Sequence, residues 1–129
     1  MFSYFHYYRN KQMPIKSIQT AEQIALYADR LAAMGTEARL RIMQLLLYAH
    51  PEGLVVGDIQ SELDIPNSTL SHHLEKLKNE DLVKVRREGT FLWYTANCDV
   101  LQELLGFLFA ECCGRNRAID PQAVVSCCR

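Results

Sequence analysis

A chain of 129 residues, 49% hydrophobic and 22% charged, has the size and balance of a single soluble domain able to bury a core. A formal net charge of −1 excludes a broadly adhesive polycation, so any contact with nucleic acid has to come from locally clustered Lys and Arg. No apolar run approaches the roughly 20 residues of a membrane-spanning helix, and the opening MFSYFHYYRNKQMP lacks the order of a secretion signal, so a cytoplasmic location is expected.

Residues 1–17 read as an N-terminal arm whose aromatics, Phe2, Tyr4, Phe5, Tyr7 and Tyr8, follow no regular period; they either pack on a partner subunit or contribute little. Residues 18–113 are expected to form the folded domain. From Thr20 to Met34 the series Ala21, Ile24, Ala25, Ala28, Leu31, Ala32 predicts an amphipathic helix, with Glu22 in its first turn and Gly35 just past its end. Thr36 is placed to cap a second helix, apolar almost all round through Leu40, Ile42, Met43, Leu45, Leu46 and Leu47, until His50-Pro51-Glu52-Gly53 breaks it. That composition predicts the core helix.

Leu54 to Leu63 gives a short third helix with Val56, Ile59 and Leu63 inward, and Asp64 to Pro66 gives a tight turn. In the helix that follows, Asn67 or Ser68 is expected to cap the first N–H groups, and Leu70, His73, Leu74 and Leu77 recur along one side. The other side begins with Asn67, Ser68, Thr69, Ser71 and His72 and ends in Lys76 and Lys78, an order suited to a helix entering a DNA groove N-terminus first. His72 is assigned to DNA and His73 to packing, because adjacent helical residues diverge too far to share a metal. Two short helices with such a turn make a helix-turn-helix.

Between Leu82 and Thr95 the period changes to two. Val83 and Val85 alternate with Lys84 and Arg86, Glu88-Gly89 supplies a turn, and Phe91-Leu92-Trp93-Tyr94 is a return strand. The expected fold is therefore mainly α (α+β), a winged helix-turn-helix with a two-stranded β-hairpin wing. Lys84, Arg86 and Arg87 on that wing suit phosphate or minor-groove contact.

Asp99 is placed to cap a last helix in which Val100, Leu101, Leu104, Leu105, Phe107, Leu108 and Phe109 leave too little polar surface for a monomer. This predicts a homodimer joined by the helices Thr20 to Met34 and Asp99 to Cys113. Gly114 should end the last helix, leaving residues 114–129 as a cysteine-containing tail. Four of the five cysteines form the adjacent pairs Cys112-Cys113 and Cys127-Cys128, which suit a soft ion or redox sensing better than a disulfide framework. Cys98 is expected to be structural. No Ser-His-Asp or paired-carboxylate constellation is recognisable, so neither an enzyme nor a catalytic cofactor is expected.

The segments LAAMGTEARLRIMQLL, with Arg39 and Arg41, GDIQSELDIPNSTLSHHLEKLKNEDLV and VRREGTFLWY together resemble the ArsR/SmtB family of metal- and metalloid-responsive bacterial repressors, over roughly Ala21 to Cys113. The resemblance implies a homodimer that sits on double-stranded operator DNA and leaves when an inducer binds. Two of the family's inducer sites lack their residues: Gly53-Leu54-Val55-Val56-Gly57-Asp58 has no thiol where an arsenic site reads Glu-Leu-Cys-Val-Cys-Asp, and Asp99 to Cys113 has no His for the zinc site. What remains is similar to arsenic repressors with an adjacent Cys pair at the end of the last helix and further Cys downstream. Trivalent arsenic takes three sulfur ligands, of which Cys112 and Cys113 could supply two at a helix end and Cys127 or Cys128 the third. Two alternatives stay open: a redox-responsive repressor using the same thiols, and a protein-interaction winged helix that does not bind DNA.

Overall fold

The computed structural model describes residues 20–116, with side chains to residue 110; the N-terminal arm lies outside them. In chain order the elements are α1 (Ala21–Met34), α2 (Glu37–Tyr48), β1 (Leu54–Val55), α3 (Val56–Leu63), α4 (Asn67–Asn79), β2 (Val83–Glu88), β3 (Phe91–Ala96) and α5 (Cys98–Asn116). Local chemistry accounts for the first two boundaries. The Thr20 hydroxyl accepts from the Gln23 N–H while the Gln23 side chain accepts from the Thr20 N–H, a capping box. Gly35 closes α1, and the Thr36 hydroxyl starts α2 by accepting from the Arg39 N–H at 3.3 Å.

The core is built where the periodicity placed it for α3 and α4. Ile59, Leu70, Leu74 and Leu77 are buried against Ile42, Met43 and Leu46 of α2, and Leu82 and Val83 close the cluster beneath the sheet. One expectation needs correction. The second helix is a core helix on one side only, since Leu40 is 59% exposed and Leu47 39%. In α1 the buried positions are Tyr27, Arg30 and Ala33, whereas the apolar stripe faces outward, with Ile24 47% and Leu31 41% exposed. The helix meets the rest of its own protomer along the neighbouring track, so the stripe is left for something else.

The sheet has three strands in the order β1-β3-β2, all antiparallel, rather than the two of a simple hairpin. Leu54 and Val55, expected inside the third helix, instead pair with Tyr94 and Trp93. Gly53 permits this: its φ is +83°, and a Cβ there would lie 2.3 Å from the Tyr94 carbonyl oxygen. The wing tip is Gly89-Thr90, one residue beyond the expected turn, with Glu88 opposite Phe91 and Gly89 at φ +62°.

The last helix differs at both ends. It starts at Cys98, so Asp99 sits in its first turn, where its charge favours the N-terminus, rather than at the cap. Asn97 fixes this start: its N–H donates to the Leu82 carbonyl at 2.9 Å and its Nδ2 to the Asp81 carbonyl at 2.8 Å. At the other end the backbone stays helical through Gly114 to Asn116. A glycine inside a helix costs only about 1 kcal/mol, which its neighbours can outweigh.

Candidate nucleic-acid interface

Asp64 ends α3 in the left-handed conformation, φ 52° and ψ 47°, which a short polar side chain tolerates. Pro66, at φ −56° and ψ 142°, then stands at the cap position of α4 and makes no side-chain hydrogen bond. Asn67 and Ser68 are consequently inside the helix, and the capping role expected of them is not filled. The first turn of α4 keeps its N–H groups without a side-chain cap, an end with positive potential that suits an anion such as phosphate.

The roll of α4 is fixed from beneath. Leu70, Leu74 and Leu77 are at most 1% exposed, and half-buried His73 presents Nδ1 to Arg39 Nη1 at 3.4 Å. Arg39 is itself buried, with its Nε donating to the Ala33 carbonyl at the end of α1. Burial, then the charges of Arg39, His72 and Lys76, push the His73 imidazole below its ordinary pKa, which keeps it neutral and able to accept from Arg39. With that side sealed, Asn67, Ser68, Thr69, Ser71, His72 and Lys76 are all exposed on the other.

Beside them runs β2, with Lys84, Arg86 and Arg87 exposed. Arg86 lies opposite Trp93 in the register, its guanidinium carbon 5.6 Å from the ring centroid, and its Nε is 3.1 Å from Glu88 Oε1. The charge is therefore held in place by a cross-strand cation–π contact and an exposed ion pair. Periodicity did not reveal Arg39, Trp93 or Glu88 as parts of this surface. A wing turn placed one residue later would have paired Arg86 with Trp93; no comparable signal marks Arg39.

Elsewhere in the protomer, α5 packs on α1. The Tyr27 ring stacks on Phe107 at 4.3 Å between centroids, the Tyr27 hydroxyl donates to Glu103 Oε1 at 3.2 Å, and Arg30 Nη1 pairs with Glu103 Oε2 at 3.6 Å. Burial, then the Glu103 carboxylate, raises the Tyr27 pKa. Outside that joint Ile24, Leu31 and half-exposed Leu108 leave apolar surface uncovered. The backbone of α5 carries Cys112 and Cys113 in its last turns, and Cys127 and Cys128 lie outside the described residues. Among the described residues no group of three or more His, Cys, Asp or Glu is placed to hold a metal, and no helix is long and apolar enough to cross a membrane.

A helix-turn-helix domain model matches residues 34–86, which runs from the end of α1 into the wing. The nodulation protein NolR of Rhizobium meliloti is 32% identical over 87 residues, 67% of this chain and 69% of that protein. The arsenical resistance operon repressor of Staphylococcus aureus is 29% identical over 75 residues, 58% of this chain and 69% of its own length. Among solved structures, the homodimeric winged helix-turn-helix DNA-binding domain Mb0332 of Mycobacterium bovis, a possible ArsR-family regulator, superposes with a TM-score of 0.59 at 26% identity, covering 84% of this chain and 98% of that one. The shared fold, the extent of the sequence match and the polar helix beside a basic wing agree: the chain belongs to the ArsR/SmtB family of DNA-binding winged helix-turn-helix transcriptional regulators.

Proposed function

We propose that the protein is a homodimeric repressor that grips operator DNA with α4 and the wing and is released by trivalent arsenic bound at Cys112 and Cys113, with Cys127 or Cys128 as third ligand. The observation that carries the DNA half of this reading is the exposed polar face of α4, opposite a sealed apolar side and next to the cations of β2. Asn67, Ser68, Thr69, Ser71 and His72 face the bases or the phosphates, while Lys76, Lys84, Arg86 and Arg87 neutralise the backbone. The uncovered stripe of Ile24, Leu31 and Leu108 supports the second subunit.

The inducer assignment rests on the chemistry of two adjacent thiol pairs and on the similarity to an arsenical resistance repressor. Because α5 stays helical to Asn116, consecutive positions such as 112 and 113 lie about 100° apart around its axis. In this reading the last turns unwind as two thiolates of one protomer close on one arsenic atom, which ties ligand binding to a change in the dimerising helix. Residues 18–113 act as the DNA-binding and dimerisation unit in this reading, and the tail closes on the ion.

The test is a fluorescence-anisotropy titration of labelled upstream DNA in excess reductant. Cys112→Ser and Cys113→Ser should bind operator as the parent does and fail to let go on adding arsenite. Release of both variants at the parent's arsenite concentration places the inducer site elsewhere. Release by oxidant but not by arsenite identifies a redox switch at the same thiols instead.

A further inference from the structure

Two metal-ligating side chains that take no part in the surface above lie next to each other. Cys98, the first residue of α5, is 7% exposed, and its Sγ is 3.7 Å from Nδ1 of His50 in the exposed turn after α2. Both backbones are anchored. The His50 N–H donates to the Leu47 carbonyl at 3.3 Å and the Gly53 N–H closes the turn on the Ala49 carbonyl at 2.9 Å, while the two Asn97 hydrogen bonds to residues 81 and 82 fix the start of α5. An ion bonded to a thiolate at about 2.3 Å and to imidazole nitrogen at about 2.0–2.1 Å holds those two atoms roughly 3.7 Å apart when its bond angle is near 115°. The observed 3.7 Å is a hydrogen-bond contact between the two side chains, and it is also a separation that a bridging ion can span without moving either backbone.

We propose that His50 and Cys98 form a binding site for a soft d10 cation of the Cu(I) class. One thiol cannot supply the three sulfurs of arsenic, and among the described residues no third His, Cys, Asp or Glu is placed to join this pair on one ion, which argues against a closed four-ligand zinc site. Cu(I) is content with one thiolate and one imidazole, its remaining position taken by water or a small thiol from solution. Binding releases the Cys98 thiol proton to solvent, and exposed His50 provides the entry. The bound ion joins the turn after α2 to the first turn of α5, independently of Cys112, Cys113 and the arsenical reading.

The experiment uses the full chain with Cys112, Cys113, Cys127 and Cys128 all replaced by Ser, so that Cys98 is the remaining thiol of the five. Cu(I), supplied anaerobically as its acetonitrile complex, is titrated against the competing chelator bicinchoninate. One equivalent should bind, with the His50 imidazole resonances shifting as it does. His50→Gln, at an exposed position, should weaken binding by roughly 100-fold or more, since removal of even an outer partner of a ligand costs about 10–100-fold. Cys98→Ser should abolish it. No competition with the chelator, unchanged affinity in His50→Gln, or unshifted His50 resonances each overturns the site; if Cys98→Ser fails to fold, the His50 variant and the resonances still decide.

Discussion

Leu108→Ala should weaken the proposed dimer while leaving the protomer folded, whereas Leu104→Ala, one helical turn earlier, should destabilise the protomer itself. Leu108 is 50% exposed and Leu104 is 2% exposed, so only the former has surface left for a partner to cover. Full burial of a leucine is worth about 1.5–3 kcal/mol, so the uncovered half contributes roughly 1 kcal/mol in each subunit. An isologous interface counts it twice, giving about 2 kcal/mol, or roughly 30-fold in the dimer Kd. Leu104→Ala should instead cost about 2–5 kcal/mol of folding stability. Sedimentation equilibrium reads the first quantity and urea denaturation the second. A parent protein that sediments as a monomer at micromolar concentration, or a Leu108→Ala dimer as tight as the parent, would refute the assignment of this face. The same symmetry requires two protected operator half-sites separated by about 10 bp or a multiple of it.

Three further outcomes are expected. Ser71→Ala and His72→Ala should relax sequence preference at about 1–3 kcal/mol for each base no longer read, while Arg87→Ala should weaken operator and random DNA alike and flatten the salt dependence; footprinting and anisotropy at several salt concentrations separate the two. His73 has its pKa lowered in the folded protein, so the unfolded chain takes up a proton first, and His73's contribution to stability is intact above about pH 6.5 and disappears as pH falls from there to the folded-state value. Urea midpoints measured downward from neutral pH should therefore fall less steeply in His73→Gln, and an identical pH profile would sink that role. Gly53→Ala should cost about 2–4 kcal/mol, because a β-carbon at φ +83° collides with the Tyr94 carbonyl, and a denaturation midpoint equal to the parent's would show that the turn relaxes freely.

What the sequence revealed and what it hid divide along a physical line. Leu70, Leu74 and Leu77 could be read as inward because helix period and burial coincide in α4, and with them the outward set from Asn67 to Lys76. In α1 the same rule found the apolar stripe, but periodicity does not say whether a stripe meets its own chain or another; Ile24 and Leu31 remain exposed in the protomer. The strand at Leu54–Val55 was hidden because two residues are too few to show a period, and its pairing depends on a distant partner, β3. The extension of α5 past Gly114 was missed because one glycine reads as a stop only when the residues after it do not continue the helix. Cys98 beside His50 was beyond reach for the same reason as Arg39 beside His73: each pair joins positions far apart in the chain, and only the folded topology brings them together.

That topology also joins α5 to α4 through a series of contacts. Phe107 of α5 stacks on Tyr27 of α1, α1 offers the Ala33 carbonyl to Arg39 of α2, and Arg39 in turn meets His73 beneath α4. Every link in that series is a contact with a fixed partner, so a shift in α5 cannot be absorbed without disturbing one of them. A ligand moves an equilibrium only by the difference in its affinity for the two states. Turning a repressor from almost fully bound to almost fully released, from about 99:1 to 1:99, takes about 5.5 kcal/mol of such difference. Closing three sulfur–arsenic bonds is strong enough to supply it, provided that closure is incompatible with the operator-bound dimer. In the proposed mechanism the helix that runs to Asn116 meets that proviso by giving up its last turn as the thiolates at 112 and 113 close on one ion.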